Sequence, residues 1–125
     1  MTTVEFRLLV AREFPQLPDE LEYWEDDLPH VQMGEFLDFV QKAIEARSFD
    51  VVRKSFEIAT TAIKNGNDSL LNCIYVGFLE HLDFRSDAGK EAFLLMPAEL
   101  KKGRYDILDY DEKLLGRKLS TDDRA

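Results

Sequence analysis

A chain of 125 residues with 45% apolar and 11% aromatic side chains has room for one domain with a real core, which excludes a disordered or low-complexity protein. Its net charge of −9 repels phosphate backbones, which argues against nucleic-acid binding, and favours a steered encounter with a basic protein partner. A single cysteine, Cys73, excludes an internal disulfide, and no stretch approaches the length of uncharged apolar chain that a membrane span needs. The first residues carry no basic region followed by an apolar run, so no secretory signal is expected and the cytoplasm is the expected location.

Thr2 or Thr3 can cap a first helix. Val4, Leu8 and Ala11 recur at helical spacing and predict its inner stripe, widened by Phe6, Leu9 and Val10. Pro15 and Pro18 end it. Residues 19–27 then bring six acidic side chains in nine positions, with Tyr23 and Trp24 among them. Met33, Phe36, Leu37, Val40 and Ile44 predict an amphipathic helix from about His30 to Arg47.

Ser48 or Asp50 can cap the next helix, whose stripe is Val52, Phe56, Ala59 and Ile63. Gly66 is expected to close it in the left-handed conformation. Asn67 or Asp68 can cap the helix that follows, with Leu71, Ile74, Tyr75, Phe78 and Leu82 as its stripe. Leu70, Cys73, Val76 and Leu79 make that helix apolar on nearly every side, hence central. The short link through Gly66 predicts an antiparallel hairpin over about 50–82.

Residues 83–87 read as a turn and 88–96 as another helix. Pro97 suits the first turn of a further helix carrying Leu100, which Gly103 punctuates. Period-two alternation is absent, so no strand is required. The expected fold is all-α, five to six helices packed around the 50–82 hairpin, in one domain over 1–115 with a polar tail over 116–125. Two packed helical hairpins would resemble a minimal HEAT-like stack.

No arrangement of residues points to catalysis. The only histidines, His30 and His81, lie far apart in sequence, and no zinc, phosphate-loop or nucleophile-elbow motif is present. His81 reads as a helix C-terminal histidine favoured by the dipole. Cys73 lies among apolar neighbours, where a thiol is a small core residue with a raised pKa. The expectation is therefore a non-enzyme without metal or cofactor, in an unspecified oligomeric state.

Two segments carry a different message. Asp19, Glu20, Glu22, Tyr23, Trp24, Glu25, Asp26 and Asp27 hold −6 of the net −9 together with the chain's only tryptophan. Aromatic side chains anchor interfaces and carboxylates beside them pair with a partner's Lys and Arg. The competing explanation is a short helix laid on the core through Leu21, Trp24 and Leu28, its acids merely solvated. Tyr105, Asp106, Asp109 and Tyr110 repeat the acidic-aromatic theme, with Asp111 and Glu112 beside them and Ile107 and Leu108 turned to the core.

Three short runs carry a family resemblance: Asn65-Gly66-Asn67, Val76-Gly77-Phe78-Leu79-Glu80 and Leu94-Leu95-Met96-Pro97. With them, the stretch from about Phe49 to Leu115 resembles a small all-helical bacterial family that includes immunity proteins of contact-dependent growth inhibition systems. The resemblance implies a protein that binds and neutralises a cognate toxin, a basic nuclease in the simplest case. It transfers no binding residue. Mid-helix Gly77 is expected to admit a neighbouring backbone. The alternative function is a helical adaptor or regulatory subunit that holds a protein without blocking an active site.

Overall fold

The computed structural model describes residues 1–15 and 29–115. The described chain is all-helical: α1 (Thr3–Glu13), α2 (Pro29–Glu45), α3 (Phe49–Asn65), α4 (Asp68–Ile74, continued by a π-helical turn Tyr75–Leu79), α5 (Asp87–Phe93) and α6 (Ala98–Leu115). Among the described residues no strand is present. The acidic run 19–27 and the tail 116–125 lie outside the described residues.

Local chemistry explains the starts of α1, α3, α4 and α5. The Thr2 hydroxyl accepts the Glu5 N–H at 3.1 Å while the Glu5 carboxylate accepts the Thr2 N–H at 3.2 Å, a capping box that satisfies two otherwise orphaned donors. Asn67 Oδ1 accepts the Leu70 N–H at 2.9 Å, and Ser86 Oγ accepts the Gly89 N–H at 2.9 Å. Ser48 precedes α3 without a side-chain cap bond, and Asp50 instead places its negative charge in the first turn, where the helix dipole favours it.

The buried face of α1 differs from the expected stripe. Phe6 and Val10 are buried and Phe14 follows them, whereas Leu8 is 58% exposed. The three aromatic and β-branched side chains, spaced by four, bury more area than the Val4–Leu8–Ala11 line would, and area decides which face docks. Phe6 meets Phe36 of α2 edge-on at 5.5 Å, and Phe36 lies 5.0 Å from Phe78 of α4. That string of rings ties three helices into one core, to which all six helices contribute.

The left-handed cap is at Arg47, not Gly66. Arg47 has φ 58°, with the Ser48 N–H donating to Ala43 O at 2.9 Å and the Arg47 N–H to Ile44 O at 3.0 Å, which closes α2 as a Schellman turn. Gly66 is extended, at φ −74° and ψ 148°. Glycine stands there for lack of space, since a Cβ would fall 2.4 Å from the Ala62 carbonyl oxygen.

Two further glycines correct the sequence expectation. Gly103 does not punctuate α6 but lies inside it, facing the Tyr75 ring at 2.8 Å from a would-be Cβ. Gly77 admits the Met33 side chain, 3.0 Å from a would-be Cβ, and not a backbone.

The α3–α4 hairpin forms as expected, and α4 is central, packed against α2, α3 and α6. Leu70, Ile74, Phe78 and Leu82 are all buried on one line. Four-residue steps drift around an α-helix of 3.6 residues per turn. The wider π turn, closed by the Glu80 N–H on Tyr75 O at 3.1 Å, takes up that drift.

Candidate functional site

The end of α4 presents a carbonyl problem. In a continued α-helix, Leu79 O would take the Asp83 N–H, but that donor bonds Gln41 Oε1 at 2.9 Å, and Gln41 Nε2 returns a bond to Asp83 O at 2.9 Å. Leu79 O accepts instead from Arg104 Nη1 of α6 at 2.6 Å. Arg104 is 1% exposed, and its guanidinium lies 5.0 Å from the Phe84 ring centre. Burial lowers its pKa to about 10, with Tyr105 and Asp83 opposing that shift, so it remains a cation at neutral pH. A buried arginine on the last carbonyl of α4 fixes how α6 lies along that helix.

Between the two helices runs an open groove of about 570 Å³, lined by Asn72, Tyr75 and Val76 of α4 and by Asp106, Ile107 and Tyr110 of α6. Val76 is 39% and Tyr110 60% exposed, and both line this groove. The π turn places Tyr75 and Val76 at the groove while Phe78 and Leu79 stay buried. π-Helical turns inside α-helices recur at functional sites.

The expected acidic-aromatic patch on α6 is divided. Asp106 and Tyr110, four residues apart and thus on one face, line the groove. Tyr105 turns away and meets the Phe93 ring of α5 at 6.5 Å. Asp109 is exposed outside the groove lining. Leu108 is core, as expected, but Ile107 is only half-buried and forms part of the groove wall. Asp106 carries an ion pair with Lys102, Oδ2 to Nζ 3.0 Å, which raises the Lys102 pKa. Asp19, Glu20, Glu22, Tyr23, Trp24, Glu25, Asp26 and Asp27 lie outside the described residues.

Asn72, Tyr75, Val76 and Arg104 are the site residues that sequence patterns do not reveal. Their one signal is that a helix apolar all round needs neighbours all round. The Tyr75 ring packs on Gly103 of α6 and is half-buried, while Val76 beside it stays exposed.

The remaining chemistry-bearing residues have structural surroundings. Cys73 is buried, and loss of solvent raises its thiol pKa. His81 is exposed just after the π turn, its N–H on Phe78 O at 3.2 Å. Among the described residues, no three of His, Cys, Asp or Glu converge as a metal cage requires. Among the same residues, no helix is long and apolar enough to cross a membrane.

A family model described as a domain of unknown function, DUF7674, matches residues 7–112. The chain belongs to that family. The DUF7674 range contains both walls of the groove and Arg104, so the α4–α6 arrangement lies within the family domain. The family description names no activity and makes no link to immunity proteins. No curated protein and no solved structure matches the chain.

Proposed function

We propose that this chain is a protein-binding module that docks on a basic bacterial toxin domain in the cytoplasm and neutralises it by covering its active site or substrate groove. The observation that carries this reading is the α4–α6 groove, where exposed Val76 and Tyr110 stand beside Asp106 on an acidic protein. Apolar and aromatic anchors supply residence time, and net negative charge supplies the encounter rate. The six acids of residues 19–27, with Trp24, add to the same complementarity.

An affinity capture with the full chain tests this, at low and at moderate salt. The reading expects a basic protein at near one-to-one ratio whose toxicity the chain relieves, with capture weakened by salt. Capture of a partner whose activity is unchanged by the chain overturns it. Within a confirmed complex, Trp24→Ala raises the dissociation rate if the 19–27 run is part of the contact.

A second reading, a non-inhibitory adaptor, draws support from the described surface. Several acids there are spent on ion pairs within the chain: Asp38 with Lys42, Glu91 with Arg47 and Glu99 with Lys64. An inhibitor relying on clustered free carboxylates does not need such dispersal, whereas an adaptor tolerates it.

A further inference from the structure

We propose that the α4–α6 groove is a slot for one arginine side chain presented by the basic partner. This assignment rests on the protein-binding reading and names the contact at its centre.

The lining matches an arginine part by part. Val76 and Ile107 give apolar wall for the three-carbon stem. Tyr110, 60% exposed, supplies an aromatic ring on which a planar guanidinium can stack, and the edge of the half-buried Tyr75 ring borders the same groove. The Asp106 carboxylate can take a two-pronged bond from the guanidinium fork, and the Asn72 amide oxygen can accept another of its N–H groups. Among the described residues the lining itself holds no cationic side chain, and the nearest cation given for it is Lys102, paired with Asp106 at 3.0 Å.

The charge of Asp106 is held only loosely by its present partner. Lys102 is 80% and Asp106 61% exposed in their ion pair, so the pair is solvated and readily exchanged. Lysine binds as a point charge, whereas arginine adds the fork and the stacking plane, so an incoming arginine displaces Lys102 from Asp106. The hollow between α1 and α3 differs: there Glu13 already pairs with both Arg12 and Lys54, at 3.3 Å each.

The test is a nuclear magnetic resonance titration of the full chain with N-acetyl-arginine amide. N-acetyl-citrulline amide, of the same shape without the charge, is the control. Shifts confined to Asn72, Tyr75, Val76, Asp106, Ile107 and Tyr110, absent with citrulline, support the slot. Asp106→Asn and Tyr110→Ala, both at exposed positions, each weaken the arginine response about two- to fivefold. Lys102→Ala strengthens it about twofold by freeing the carboxylate. Equal responses to arginine and citrulline, or arginine shifts spread evenly over the acidic surface, overturn the proposal. The larger reading fails separately: if no basic partner is captured but the arginine shifts are as expected, the slot stands and the toxin does not. If a basic partner binds Asp106→Asn and Tyr110→Ala as well as the parent chain, the partner stands and the slot falls.

Discussion

The guanidinium of Arg104 rests on the carbonyl oxygen of Leu79 at 2.6 Å, so the last turn of α4 is capped by a side chain from α6, 25 residues away in sequence. A charge buried this fully is tolerated because it meets a helix C-terminus, where the dipole is negative, and an aromatic face at Phe84. Removing it therefore has consequences at both helices.

Arg104→Ala is expected to cost about 3 kcal/mol, because it leaves a cavity and strips Leu79 O of its donor. Arg104→Met keeps most of the packing and is expected to cost about 1–2 kcal/mol for the orphaned carbonyl alone. Urea unfolding of both variants measures the difference. An Arg104→Ala midpoint equal to that of the parent chain would show that the contact contributes nothing.

Asp83 predicts an acid dependence. Its carboxylate accepts Arg85 Nε and the Arg85 N–H at 3.0 Å each, and Arg85 Nη2 at 2.9 Å, which lowers its pKa from 3.8 to about 2. A carboxylate held low in the folded state stabilises the fold above 3.8 and loses that effect as pH falls through about 2. The contribution is modest, since the side chain is 44% exposed. The stability gap between the parent chain and Asp83→Asn is expected to be widest above pH 3.8 and to close toward pH 2. A gap constant across that interval would assign the effect to something other than this carboxylate.

The same substitution at two glycines is expected to have opposite signs. Gly34 lies in α2 with nothing within 4 Å of a would-be Cβ, so Gly34→Ala should stabilise by about 1 kcal/mol through helix propensity. Gly66→Ala forces a methyl against the Ala62 carbonyl and should destabilise by about 1–3 kcal/mol. Thermal unfolding of the two variants, side by side, checks both signs.

Much of the core was legible because its period is local. Met33, Phe36, Val40 and Ile44 are buried on one face of α2, and Val52, Phe56 and Ala59 on one face of α3, as their spacing requires. Leu8 was misplaced because α1 offers two apolar lines at nearly the same spacing, and the choice between them depends on what the neighbouring helices present. Phe36, across the interface, meets Phe6, while α3 and α4 supply the rest of the surface on which α1 docks.

The candidate site was half legible. Asp106 and Tyr110 stood out as an acid and an aromatic at one-turn spacing, but Tyr105 left the patch for Phe93, a partner on another helix. Tyr75 and Val76 looked like core because their whole neighbourhood is apolar. Tyr75 is half-buried as part of the core's edge, but Val76 is exposed, an outcome of the π turn and of where α6 lies that no short run of sequence encodes.

By itself the sequence determined the helical class, the α3–α4 hairpin and the burial of Cys73, and it narrowed two caps to Thr2 or Thr3 and to Asn67 or Asp68, of which the structure uses Thr2 and Asn67, because each depends on residues within a turn or two. The tertiary structure alone decided that Arg47 takes the left-handed cap, that Gly66 and Gly103 make room instead of turning the chain, and that Arg104 is buried against Leu79. The Gly103 and Arg104 outcomes depend on groups far apart in the chain, Tyr75 and Leu79, whereas Arg47 and Gly66 answer to backbone groups within one turn whose conformation the residue types alone do not fix. Hydrophobic period fixes which side of a helix turns inward, but only packing fixes which neighbour arrives there and what surface it leaves open.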